Sequence, residues 1–137
     1  MGLQSFPAPL MGFYDPPMWD SIRAKAMRLQ CCRACGSFQY PPAPACVDCL
    51  SEELDWAPLS GEGVVVSWVI YHRQYLDMYA PPYNVVTVKL KEGPLFTSNL
   101  VGRCPEGSWI GAPVRLVYKD FPDGKVLPQF ELAVLQS

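Results

Sequence analysis

Cys32-Arg33-Ala34-Cys35, the ten residues Gly36 to Ala45, and then Cys46-Val47-Asp48-Cys49 form the stretch whose reading decides the fold. Each C-x-x-C places two thiolates on one tight turn. Two such turns in succession supply the four soft ligands Cys32, Cys35, Cys46 and Cys49 of a closed, tetrahedral zinc site. A closed site leaves no coordination position for water, so the metal is expected to build structure and not to activate a nucleophile. The rival readings are weaker. A redox C-x-x-C normally occurs once, beside a βαβ pattern, and two disulfides would need an oxidising compartment. Gly36 follows Cys35 and suits a turn whose amides point at sulfur, whereas Leu50 occupies the matching place after Cys49. Cys31 to Cys35 has one residue too many for a zinc knuckle, and Cys104, before Pro105, reads as a half-buried small hydrophobe.

Working outward, 137 residues suffice for one sizeable core with a small satellite module. With 50% hydrophobic and 18% charged residues the chain is too apolar to be disordered as a whole. A formal charge of −2 and a pI near 5.3 argue against a nucleic-acid partner, which would call for a basic excess. The apolar runs, such as Val64-Val65-Val66, are far too short to span a membrane. The N-terminus shows no charged segment followed by an apolar one, and Phe6 stands where a myristoylation signal wants Ser or Thr. The expectation is a cytoplasmic protein with no membrane contact.

Three segments emerge. Residues 1–30 read as an apolar, proline-bearing arm to about residue 15, then an amphipathic helix from Pro17 to Gln30 capped by Asp15. Met18, Trp19, Ile22, Ala26 and Leu29 fall on one stripe of that helix, and Met18, Trp19 and Ile22 are candidate partner contacts. Residues 31–54 form the zinc ribbon, too small to bury a core and therefore dependent on metal for much of its folding energy. A short strand is expected at Phe38–Tyr40.

Residues 55–137 carry the periodicity of strands. Val64–Arg73 is rich in β-formers. In Tyr83–Lys91, Val86, Val88 and Leu90 alternate with Thr87, Lys89 and Lys91. Leu95–Val101 follows the turn Glu92-Gly93-Pro94, a fourth strand runs through Val114, Leu116 and Tyr118, and Asp123-Gly124 turns into Val126–Leu132. Five strands with a long third connection fit a small Greek-key OB-fold barrel, with a β-sandwich as the alternative. The expected class is thus mainly β: N-terminal helix, zinc ribbon, C-terminal five-stranded OB-fold barrel. Tyr71, Tyr75, Tyr79 and Tyr83, interleaved with Pro81-Pro82, suggest an aromatic loop, and Tyr79 and Tyr83 are further candidate partner contacts.

The run from Cys32 to Gly36 with Tyr40-Pro41-Pro42-Ala43-Pro44-Ala45-Cys46-Val47-Asp48-Cys49 resembles the rubredoxin-like zinc ribbon of the DUF35 family. Leu59–Gly63, His72-Arg73, Pro81-Pro82-Tyr83, Leu90–Pro94 and Ile110–Val114 extend the resemblance in the family's order over about residues 17–132. Leu50, Lys91 and the doubled cysteine at 31 depart from its pattern. The resemblance implies a helix, a ribbon and an OB-fold. It also implies an accessory subunit, in a hetero-oligomer expected to be a heterotetramer, of a thiolase-superfamily enzyme acting on CoA thioesters by thiolysis, retro-aldol cleavage or acyl transfer. Some relatives act on bulky or aromatic acyl groups. The catalytic residues would then lie on the thiolase-like subunit, and CoA thioester would be met through the complex.

The residues themselves agree with a non-catalytic role. His72 is the single histidine, no Gly-rich phosphate loop is visible, and no residue is singled out as catalytic. The alternatives are a stand-alone acyl-CoA-binding module and a nucleic-acid-binding ribbon and barrel.

Overall fold

In the computed structural model, which describes residues 13–73, 81–122 and 124–133, the chain opens with a helix, α1, at Pro16–Arg23. Two prolines occupy its first turn, where a missing N–H costs nothing. Asp15 stands at the N-cap with no side-chain capping bond, and its carbonyl receives the amides of Met18 and Trp19. The helix ends seven residues before the expected Gln30. Lys25 takes a left-handed conformation at φ 60°, its amide bonds to Ile22 O, and the Ala26 amide bonds to Ser21 O. That is a Schellman closure made without glycine, which is why the sequence concealed it.

The chain then enters β1, Arg28–Cys32, which pairs antiparallel with β2, Phe38–Gln39, on one side and β3, Leu54–Pro58, on the other. Leu29 is therefore buried from a strand and not from a helix. The divisions at 30/31 and 54/55 each cut a strand of this sheet, because β1 and β3 carry backbone from both sides of them.

The second sheet holds β4 (Glu62–Tyr71), β5 (Tyr83–Leu90), β6 (Leu95–Ser98), β7 (Leu100–Val101), β8 (Pro113–Asp120) and β9 (Val126–Leu132), in the order β6-β5-β4-β8-β9-β7. The expected third strand is split by Asn99 into β6, which pairs with β5, and β7, which runs parallel to β9. The two edges of the sheet are thus consecutive pieces of chain, the OB-fold arrangement, although among the described residues the ladders do not form an unbroken ring. At the break, Asn84 acts as a substitute backbone unit. Its Nδ2 donates to Leu100 O at 2.8 Å and its Oδ1 accepts from Leu100 N at 2.7 Å.

The alternation in β5 is realised: Val86, Val88 and Leu90 are buried while Lys89 is exposed. At Gly63 of β4, a Cβ would lie 2.6 Å from Val88 Cγ1 and 2.8 Å from Lys89 O, so this crossing admits no side chain. One hydrophobic cluster runs through the molecule, joining Met18, Ile22, Met27 and Leu29 to Val65, Val88, Val114 and Phe130. Tyr118 Oη of β8 accepts the Met27 amide at 2.8 Å, and Lys25 pairs with Asp120 at 2.7 Å. Helix, ribbon and barrel therefore share one core.

Candidate metal centre

The two knuckles fold as copies of one another. The Cys32 amide donates to Ser37 O at 2.9 Å and the Gly36 amide returns to Cys32 O at 2.8 Å. In the second turn the Cys46 amide donates to Ser51 O at 2.8 Å and the Leu50 amide returns to Cys46 O at 2.9 Å. Both turns need a left-handed residue in the same place, Gly36 at φ 80° and Leu50 at φ 67°. Glycine adopts that conformation freely and leucine only under strain, the asymmetry that Leu50 announced in the sequence.

These turns bring all four Sγ atoms of Cys32, Cys35, Cys46 and Cys49 within 4.8 Å of one another. Cys32 and Cys49 are 3.6 Å apart, as are Cys35 and Cys46. A tetrahedron of sulfurs around zinc, with bonds of about 2.3 Å, has edges of about 3.8 Å. The cluster therefore fits the ion with almost no adjustment. Backbone amides are already aimed at sulfur. The Cys35 amide, then that of Ala34, draws the Cys32 thiol below its ordinary range, and the Asp48 amide stands 3.4 Å from Cys46 Sγ. The Ser37 hydroxyl and amide bring Cys35 down to about 6. The Ser51 amide favours the Cys49 thiolate, but the neighbouring sulfurs, Cys32 foremost, outweigh it and push Cys49 up to about 12. Four thiols this close cannot all ionise without a cation among them.

The site is a structural zinc centre of the rubredoxin type. When bound, zinc cross-links the two turns. Alignment of the turns beneath it comes from two buried glutamines that face one another across β1 and β2. Gln39 Nε2 donates to Gln30 Oε1 at 2.8 Å and to Ala45 O at 3.2 Å, and Gln39 Oε1 accepts from Val47 N at 2.9 Å. Gln30 Nε2 donates to Ala43 O at 3.0 Å and its Oε1 accepts from Ala43 N at 2.8 Å. The loop carrying Cys46 is thus fixed by side chains that sequence reading passed over, since only strand register brings them together.

Cys31 lies outside the cluster, with its Sγ 3.7 Å from Gly36 O, and burial raises its thiol above the usual range. Cys104 and His72 are both exposed. The candidate partner contacts divide. Met18 and Ile22, at 3% and 0% exposure, are core residues and are withdrawn, because the face of α1 expected to meet another protein instead meets this chain's own barrel. Trp19 is half-buried against that core, and Tyr83 is half-buried with its ring stacked on exposed Tyr71 at 5.2 Å. Tyr75 and Tyr79 lie outside the described residues, as do residues 1–12 of the arm. No helix among the described residues is long and apolar enough to cross a membrane.

Two family models match consecutive segments: the ChsH2 rubredoxin-like zinc ribbon domain over residues 19–55 and the ChsH2 C-terminal OB-fold domain over residues 56–119. The chain is 36% identical over 105 residues to the 3-oxo-4,17-pregnadiene-20-carboxyl-CoA hydratase alpha subunit of Mycobacterium tuberculosis, a match covering 77% of this chain and 33% of that protein. It spans less than two fifths of the length of the hydratase alpha subunits it resembles. A DUF35 domain-containing scaffold protein of Methanocaldococcus jannaschii is 30% identical over 112 residues, covering 77% of this chain and 79% of that one. Among solved structures, the one titled Ltp2-ChsH2(DUF35) aldolase superposes with a TM-score of 0.84 at 31% identity, over 93% of this chain and 100% of the other.

Proposed function

Since this chain belongs to the DUF35 family, we propose that it is a non-catalytic, zinc-ordered scaffold subunit of a thiolase-superfamily enzyme acting on CoA thioesters. The observation that carries this reading is the match to a chain of the structure titled Ltp2-ChsH2(DUF35) aldolase, which this chain covers from end to end. The site chemistry supports it. Four cysteine ligands complete a tetrahedral shell and leave no position for substrate. The chain's contribution is then shape: a ribbon and a barrel held at a fixed angle for a larger subunit to grip. Trp19 and Tyr83 are proposed contacts, the assembly is a heterotetramer, and the reaction is thiolysis, retro-aldol cleavage or acyl transfer on the partner. The cytoplasm, where thiols stay reduced, is the compartment this reading requires.

The test is co-expression with candidate thiolase-superfamily proteins from the same organism, followed by light scattering and acyl-CoA assays of each complex and of each component. The expected result is a stable hetero-oligomer whose activity needs both chains. Turnover of an acyl-CoA by the isolated chain would sink the proposal. A second reading, a hydratase partner, is favoured by the name of the M. tuberculosis relative. Association with a hydratase and not with a thiolase-like protein would establish it.

A further inference from the structure

We infer that the cleft between the zinc ribbon and the β5–β6 hairpin receives an arginine side chain presented by the partner protein. The cleft has a volume of about 500 Å³, with Phe38, Tyr40, Pro41 and Asp48 on the ribbon side and Glu92 and Pro94 on the barrel side. Among the described residues, two carboxylates line it and no lysine, arginine or histidine does. Glu92 Oε2 accepts from the Ser60 amide at 2.7 Å, whereas its Oε1 is buried and has no hydrogen-bond partner among the described residues. A buried acceptor left unmatched is disfavoured, and a charged one more so, so the lack of a counter-charge points to a group that arrives from outside.

Both walls are fixed. The hairpin is closed by Gly93 N to Leu90 O at 2.8 Å and Leu90 N to Pro94 O at 2.9 Å, and the ribbon wall is tied by Gln30 and Gln39. Anions are repelled here. A divalent cation would want several oxygen ligands, which proline and aromatic walls do not supply. A guanidinium suits the lining better, because it is planar and weakly hydrated, stacks on aromatic rings and forks onto a carboxylate. Tyr40 offers such a ring: it is 37% exposed while its position is set by Phe96, 4.8 Å away.

That the arginine belongs to a protein rests on the scaffold reading; the preference of the cleft does not. The full zinc-loaded chain, labelled with ¹⁵N, is titrated with N-acetyl-arginine methylamide, its lysine counterpart and Mg²⁺. Saturable shifts at Gln39, Tyr40 and Gly93 are expected, strongest with arginine. Glu92→Gln should weaken binding about tenfold, the loss of one charge-assisted hydrogen bond. Should that variant fail to fold, Asp48→Asn at an exposed position serves instead and should weaken binding several-fold. Absence of saturation, equal response in the variants, or the same shifts from Mg²⁺ alone overturns the inference. A complex that assembles while the arginine titration fails overturns this inference and leaves the scaffold reading standing. Arginine binding with no complex supports the cleft and removes the scaffold reading.

Discussion

Replacing Gln39 by leucine, a side chain of similar size, should loosen the metal centre without touching a ligand. The substitution removes the bonds from Nε2 to Gln30 Oε1 and Ala45 O and the bond from Val47 N to Oε1. Gln30 Oε1 keeps the Ala43 amide, so the groups left wholly unmatched are the Ala45 carbonyl and the Val47 amide, on either side of Cys46. At about 1 kcal/mol for each unmatched group and somewhat less for Gln30, the loss is about 2–3 kcal/mol. Metal binding and ribbon folding are one equilibrium, so that loss becomes a drop in zinc affinity of about 30- to 150-fold. Competition against a chromophoric chelator of known affinity reads this directly. Pairing the change with Gln30→Leu should cost less than the sum of the two, because the two amides bond to each other. A Gln39→Leu chain that holds zinc within twofold of the parent and melts at the same temperature would refute the reasoning.

Other expectations follow from single contacts. Cys46→Ser should lower zinc from about one ion per chain to a small fraction by elemental analysis, and should also loosen the barrel in hydrogen exchange, because Leu29 beneath the ribbon belongs to the common core. Leu50→Gly relieves a strained φ at a site 77% exposed and should raise stability by about 0.5–1 kcal/mol in chemical denaturation, net of the extra freedom of the unfolded chain. Tyr118→Phe leaves the Met27 amide without its acceptor and should cost about 1–2 kcal/mol by the same measurement. Gly63→Ala forces a methyl against Val88 and the Lys89 carbonyl and should cost about 1–3 kcal/mol.

The barrel strands were legible because one buried face imposes a period of two, and Val86, Val88 and Leu90 show it without interruption. The metal ligands were legible because their spacing is dictated by the ion and not by the surrounding fold. The end of α1 was not: Leu29 happens to fall at helical spacing from Ile22 and Ala26, and Lys25 gives no outward sign of a left-handed turn. β3 was concealed by its short, half-polar run ending in Pro58. The glutamine pair, the Asn84 clasp and the Glu92 cleft depend on residues brought together by register and by packing between modules. No local pattern in the chain could have shown them.

The shared core under the ribbon has a mechanical consequence. A load applied at the knuckles passes through β1 into Leu29 and from there into the cluster containing Phe130 of β9 and Val114 of β8, with the Tyr118–Met27 and Lys25–Asp120 ties acting as braces. Because both braces tie the link between α1 and β1 to β8, the ribbon does not hang from the barrel as a pendant tag. It works as a lever arm of fixed pitch, and any two surfaces gripped by its ends are held at a set distance.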